Sequence, residues 1–188
     1  MSDIRITLAR KKTELKQIIG LQEINLRASV GEEIAEDQGF VTAVHDPKVL
    51  AAMNAAAASV IAKDGTKVVG YALTMLREFA DDVPALVELF DRQDNAVYKG
   101  GRLGDEDYIV MGQICVAEEA RGQRLAGRMY KYMRACYSLR FPYVVTAIDA
   151  RNTRSLKVHE KVGFKVLDEF RAEASGKDWV LVIWDWRR

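Results

Sequence analysis

Little in this sequence is in excess, and each shortage excludes something. Cysteine is scarce: Cys115 and Cys136 are the two in 188 residues, too few for a disulfide framework. Both sit inside apolar stretches and read as reduced core residues. Neither sign of charge dominates, since 28 Lys and Arg against 27 Asp and Glu leave a net charge of +1. That excludes a general attraction to polyanions. No basic stripe with interleaved aromatics occurs, so nucleic acid is not expected as a partner. No apolar run is long enough to span a bilayer. The longest, Val49 to Ala62, is rich in Ala, is broken by Asn54 and Ser59, and falls short of the roughly 20 residues a crossing needs. The opening stretch MSDIRITLARKK has no apolar signal-peptide core. Repeats, low-complexity tracts and linkers are missing too. With 49% apolar residues, the expectation is a soluble, cytoplasmic, single domain over residues 1–188 that buries a sizeable core.

What is present alternates between strand and helix signals. Ile4, Ile6 and Leu8 alternate with polar residues, as in a half-buried strand. Thr13 is placed to cap a helix reaching about Arg27, whose apolar face Gln22 interrupts. Gly31 to Asp37 is acidic and gives no clear signal. Asp46-Pro47 is a helix start, followed by an Ala-rich helix to about Ala57. Ser59 to Ala62 and Val68 to Leu76 read as strands joined by Asp64-Gly65, a hairpin signal. A long connection, 77–107, then carries a helical pattern from Asp82 with Val83, Leu86, Val87 and Phe90 on one face. It returns through Gly100, Gly101 and Gly104 and reads as an insertion over the sheet, in the position of a lid. Further on, Tyr143 to Ile148 and Phe164 to Phe170 read as strands, with a helix from Asn152 to Lys161 between them and Gly163 as its terminator. Trp179 to Trp186 is apolar on both faces, which suits a strand between neighbours.

The chemistry concentrates in Ile109 to Tyr132. Val110, Met111, Ile114, Cys115 and Val116 form a strand pattern. Leu125, Met129, Met133 and Cys136 then recur at helical spacing. Between them lies Arg121-Gly122-Gln123-Arg124-Leu125-Ala126-Gly127. A small-residue turn entering a helix leaves backbone N–H groups without partners at the positive end of the dipole, an anion site suited to phosphate. The segment Arg-Gly-Gln-Arg-Leu-Ala resembles the [Gln/Arg]-x-x-Gly-x-[Gly/Ala] signature of the GNAT superfamily of acyl-CoA-dependent N-acyltransferases, with Arg124 in place of the central Gly. Downstream, Asn152-Thr-Arg-Ser155-Leu-Lys-Val-His159-Glu-Lys-Val-Gly163-Phe164 resembles the second signature of the same family, with His159 in place of the usual Tyr.

The resemblance implies a single α/β domain with a central mixed, mostly antiparallel sheet of about seven strands and helices on both faces. The last strand would lie between the fifth and sixth, and coenzyme A would sit where the fourth and fifth splay apart. It implies acetyl-CoA as co-substrate, direct transfer to a primary amine of a small-molecule or peptide acceptor in a ternary complex, and no metal. By the same resemblance, Arg121, Gly122, Gln123, Arg124, Leu125, Ala126 and Gly127 hold pyrophosphate. Ile114, Cys115 and Val116 present backbone groups to the pantetheine arm, and Asn152 contacts that arm or orders its loop. His159 protonates the departing thiolate, as a histidine can near neutral pH. The amine needs a route for its proton, because an alkyl ammonium has no lone pair. Asp105, Glu106, Asp107, Glu32, Glu33, Glu36 and His45 are the candidates for that role, each with a structural alternative, and Gln113 on the central strand either faces the acceptor or satisfies a neighbouring backbone group. A catalytically silent coenzyme-binding or structural module of the same fold is the rival, kept open by Arg124 and His159. A homodimer formed through apolar surface on the insertion is compatible with the sequence.

Overall fold

The computed structural model describes residues 3–26, 41, 43–83, 86–173 and 175–187. In chain order the elements are β1 (Arg5–Leu8), α1 (Lys12–Asn25), α2 (Pro47–Ala56), β2 (Val60–Asp64), β3 (Lys67–Met75), α3 (Val87–Asn95), β4 (Val97–Tyr98), β5 (Gly101–Arg102), β6 (Tyr108–Val116), α4 (Leu125–Tyr137), β7 (Tyr143–Asp149), α5 (Thr153–Val162), β8 (Lys165–Arg171) and β9 (Asp178–Asp185). Seven strands form one sheet in the order β1-β2-β3-β6-β7-β9-β8. Every neighbouring pair is antiparallel except β6 and β7. β9 runs between β7 and β8, the interior position that its two apolar faces require.

Alternation along the strands divides the core. Ile109, Met111, Val144, Val180 and Val182 join one cluster with Leu125, Met129 and Met133 of α4. Their neighbours Tyr108, Val110, Tyr143, Val145, Leu181 and Ile183 join a second with Leu89 and Phe90 of α3. Helices therefore cover both faces, as expected. Among the described residues no helix is long and apolar enough to cross a membrane.

Two features of β6 open the sheet. Its parallel pairing with β7 is confined to Tyr108, Ile109 and Val110 against Tyr143, Val144 and Val145. Beyond that point the two strands run on to Val116 and Asp149 without pairing to each other. The register with β3 also shifts, from Ala72 opposite Ile114 to Thr74 opposite Met111. Gly112 and Gln113 thus face the single residue Leu73, a bulge that bends β6 away.

Several local expectations change. α1 starts at Lys12, not after Thr13, because the Glu14 carboxylate accepts from the backbone N–H groups of Arg10 and Lys11 at 2.8 and 3.0 Å and closes the first turn. Gln22 does not break the helix face. It is fully buried, and its side chain accepts from the His45 N–H at 2.9 Å and lies 3.2 Å from His45 Nδ1. Cys115 is buried as expected, whereas Cys136 is exposed. The buried stripe of α4 runs through Leu125, Met129, Tyr130 and Met133 and leaves Cys136 outside it. The insertion helix begins at Val87 rather than near Asp82, and it buries Leu89 and Phe90 while Val87 stays exposed. The glycine-rich return is a β4–β5 hairpin, with Lys99 and Gly100 at φ 52° and 83° in its two-residue turn. Residues 31–37 lie outside the described residues.

Candidate active site

The end of β6 that β7 leaves unpaired and the starts of α4 and α5 line a cleft of about 320 Å³. β6 contributes Ile114, Cys115 and Val116, and the turn into α4 contributes Arg121, Gly122, Arg124, Leu125 and Ala126. The start of α5 contributes Asn152, Arg154 and Ser155, with Val158 and His159 one turn on. Two sequence-distant segments complete it: Asn25 at the end of α1 and Val41. Of the residues expected here from sequence, Gln123 and Gly127 do not line the cleft; they lie within the turn and in the first turn of α4. Asn25, Val41, Ala120, Arg154, Ser155 and Val158 line it without having been anticipated. Ser155 and Val158 share the α5 signature with Asn152 and His159, at three- and four-residue spacings. Asn25 and Val41 had no signal, since neither residue type at such spacing marks a site.

The turn at 122–124 is built for an anion. Gly122 takes φ +79°, and a Cβ there would meet nothing within 4 Å, so its outer face is open. Arg124 follows at φ 55°, ψ 28°, and α4 begins at the next residue. Left-handed residues at a helix entrance turn successive N–H groups toward one concavity, where the helix dipole adds to them. The Arg124 conformation also explains why Gly is the usual residue at this place in the family signature. A side chain there costs about 1 kcal/mol or more, and Arg124 makes no side-chain cap to offset it. Arg124→Asn, a residue that tolerates this conformation, is therefore expected to raise the unfolding free energy by about 1 kcal/mol in urea denaturation. An unchanged midpoint would mean that the guanidinium recovers what the backbone costs.

The lining of the cleft combines cationic and apolar side chains. Arg121, Arg124 and Arg154 line it, and the described lining residues include no carboxylate. Arg121 also ties the walls together. Its guanidinium donates to Asn25 Oδ1 at 3.2 Å and to the Val116 carbonyl at 3.4 Å. Asn152 is buried at the N-terminus of α5, where its side chain accepts from the Ser155 N–H at 3.1 Å. It is a helix cap in the wall of the cleft. Burial pushes the Cys115 thiol up to about 11, against the opposing pull of Arg121. The sulfur stays protonated and is no nucleophile.

His159 is at the cleft wall but turned away from any exchange with solvent. It is 1% exposed. Its Nδ1 lies 2.7 Å from the Ser155 carbonyl oxygen, which can only accept, so the ring proton resides on Nδ1. Nε2 then accepts from the Tyr130 hydroxyl at 2.5 Å. Burial lowers the pKa to about 4, partly offset by the Ser155 carbonyl. Both nitrogens are committed, and the ring is neutral at pH 7.

The expected proton acceptors fare differently. Asp105, Glu106 and Asp107 precede Tyr108, at the paired end of β6. From there to Ile114 is about 20 Å of strand. His45 is not a surface residue. It is buried, and burial lowers its pKa. Gln113 donates to the Ala43 carbonyl at 2.8 Å and accepts from the Tyr71 hydroxyl at 2.6 Å, so its amide holds the bulge. Glu32, Glu33 and Glu36 lie outside the described residues. No described residue of the insertion 77–107 lines the cleft, and the segment packs into the second core cluster instead of over the cleft as a lid would.

Comparison with known proteins fits this geometry. The sequence model of the acetyltransferase (GNAT) family matches residues 23–164. The chain belongs to the GNAT acetyltransferase family. Both splayed strands, the 122–124 turn and the Asn152–His159 segment fall inside the matched span. Among curated protein sequences no relative matches. Solved structures share the fold at low identity. The ribosomal-protein-S18-alanine N-acetyltransferase of Escherichia coli is 12% identical with a TM-score of 0.62, over 97% of this chain and 93% of that one. The protein yncA of Salmonella typhimurium, solved with its cofactor acetyl-CoA, is 14% identical with a TM-score of 0.61, over 100% and 96%. Naa50 of Arabidopsis thaliana, in complex with the bisubstrate analogue CoA-Ac-MVNAL, is 14% identical with a TM-score of 0.64, over 99% and 100%.

Proposed function

We propose that this GNAT chain acts as one transferase unit over its 188 residues, an acetyl-CoA-dependent N-acetyltransferase that passes the acetyl group directly to a primary amine. The observation that carries the reading is the cleft itself. It brings together a phosphate-directed turn at Gly122 and Arg124, a stretch of β6 that β7 leaves unpaired, and arginines with no carboxylate among the described lining residues.

Each part has a task. The N–H groups of the turn, with Arg121 and Arg124, hold pyrophosphate. The free edge of β6 from Ile114 to Val116 accepts the pantetheine arm as an added strand would be accepted. One N–H on that edge is placed to stabilise the negative charge that grows on the thioester oxygen during attack. Ile114 and Val116 keep water from the reacting carbon. Asn152 and Arg154 close the other side. His159 is a positioning residue here: by joining Tyr130 of α4 to the Ser155 carbonyl of α5, it fixes the gap between the two helices. In this reading protons leave the amine and reach the departing sulfur through water, since the His159 imidazole is committed to the Tyr130 hydroxyl and the Ser155 carbonyl. Peptide-bearing relatives in the fold, such as Naa50 with its analogue, make a peptide N-terminus the first acceptor class to try, ahead of small amines.

Calorimetric titration with acetyl-CoA, with 3′-dephospho-CoA and ATP as controls, tests the reading. Saturable one-to-one binding not shared by ATP is the expected result. If acetyl-CoA fails to bind, Arg124 marks a lost site and the chain is a structural module. Binding without turnover on peptide and small-amine panels would select the silent coenzyme-binding alternative.

A further inference from the structure

A second cavity, of about 310 Å³, lies at the opposite ends of α4 and α5, and it shares no lining residue with the cleft. Four cations line it, Lys99, Arg134, Lys165 and Arg187, against the single carboxylate of Asp185. That carboxylate is already engaged, by Lys99 Nζ at 2.6 Å and by Arg187 Nε at 3.8 Å. Arg187 reaches Glu106 as well, at 3.4 Å, outside the cavity wall. Arg134 and Lys165 have no carboxylate partner among the described residues. Arg134 instead lies over the Trp184 ring, 5.8 Å from its centroid.

The excess is not a by-product of one element. A cation in the last turn of α4 complements the helix dipole, which accounts for Arg134 alone. Lys99 comes from the β4–β5 turn, Lys165 from the start of β8, and Arg187 from beyond β9. Like charges converging from four parts of the chain repel one another, and a concave wall with an aromatic floor concentrates their field.

We propose that this cavity binds a small, multiply charged oxyanion of the phosphate class. Arg134 and Lys165 supply the uncompensated charge, so the ligand carries at least two negative charges. The Arg134 guanidinium offers a planar fork for two of its oxygens. Lys99 swings from Asp185 to a third.

The test is titration of the full chain with inorganic pyrophosphate at low salt, after saturation with coenzyme A so that the Gly122 turn is already filled. Citrate serves as the carboxylate arm. The same titration on Gly122→Asp covers the case in which coenzyme A does not bind at all. The expected result is one equivalent of pyrophosphate bound in both proteins, with a change in tryptophan fluorescence. Arg134→Gln with Lys165→Gln should weaken it by more than about tenfold and leave coenzyme affinity unchanged. Both positions are solvent-accessible, and a thermal melt confirms that the double variant folds. Citrate binding in place of pyrophosphate, lost in the same variant, would keep the oxyanion site and change the source to a polycarboxylate. Three results overturn the proposal: neither anion binds, the double variant binds as well as wild type, or binding disappears in Gly122→Asp alone.

Discussion

Gly122→Asp is expected to weaken acetyl-CoA binding by more than about a hundredfold, while Gly122→Asn weakens it by less than about tenfold. The pair separates charge from shape. A Cβ at Gly122 meets nothing within 4 Å, so neither side chain collides with the protein. Asp and Asn both tolerate the left-handed backbone at φ +79° better than other residues with side chains. What differs is a negative charge set against the pyrophosphate, in a turn whose N–H groups and helix dipole favour an anion. Like charges brought together in a partly desolvated site cost several kcal/mol, and each 1.4 kcal/mol is a factor of ten in affinity. Calorimetric titration of the two variants beside wild type reads the difference directly. Equal losses in Asp and Asn would mean that the backbone of the turn, and not its electrostatics, holds the coenzyme. No loss in either would remove the turn from the site.

The sequence was most legible where one chain segment makes its own chemistry. The turn at Gly122, the cap at Asn152 and the stop at Gly163, which sits at φ +116°, are local features whose residue types follow from backbone geometry. β9 was legible for a related reason: apolar residues on both faces leave a strand no stable place except between neighbours. Properties that depend on what packs against a residue were not legible. Helical spacing put His159 on the cleft side of α5. It carried no sign that Tyr130, 29 residues earlier, would reach its Nε2. His45 follows the same pattern, since its burial depends on Gln22 across 23 residues. Cys136 continued an apolar period that α4 does not bury to its end. The bulge in β6 was silent as well. It appears only as a register shift against β3, yet it helps to open the cleft.

The burial of His159 leads to the second large effect, an acid sensitivity of the fold with a predictable sign. The imidazole titrates near 6.5 when free and at about 4 in the folded protein, because burial disfavours the charged ring. The unfolded chain therefore binds the proton first as pH falls. Stability from this group is complete above about 6.5 and is lost progressively as pH drops toward 4. A gap of this size corresponds to about 3 kcal/mol. The unfolding free energy from urea titrations should decline by that amount between pH 7 and pH 4 on account of His159. Burial lowers the pKa of His45 too, and adds to the slope with the same sign. Glu14 contributes at the acid end. Burial raises its pKa, but hydrogen bonds from Lys63 and from the N–H groups of Arg10 and Lys11 outweigh that and lower it overall, so its stabilisation is lost below the usual carboxylate range. His159→Gln keeps an acceptor for the Tyr130 hydroxyl and removes the titration, so its stability should fall less steeply over the same window. The variant also decides between two roles. As a positioning residue, His159 sets the spacing of α4 and α5, so His159→Gln should raise KM for acetyl-CoA and leave the pH profile of kcat in place. Loss of a limb from that profile would instead make His159 the proton donor to the departing sulfur, and would require the Tyr130 contact to break during turnover.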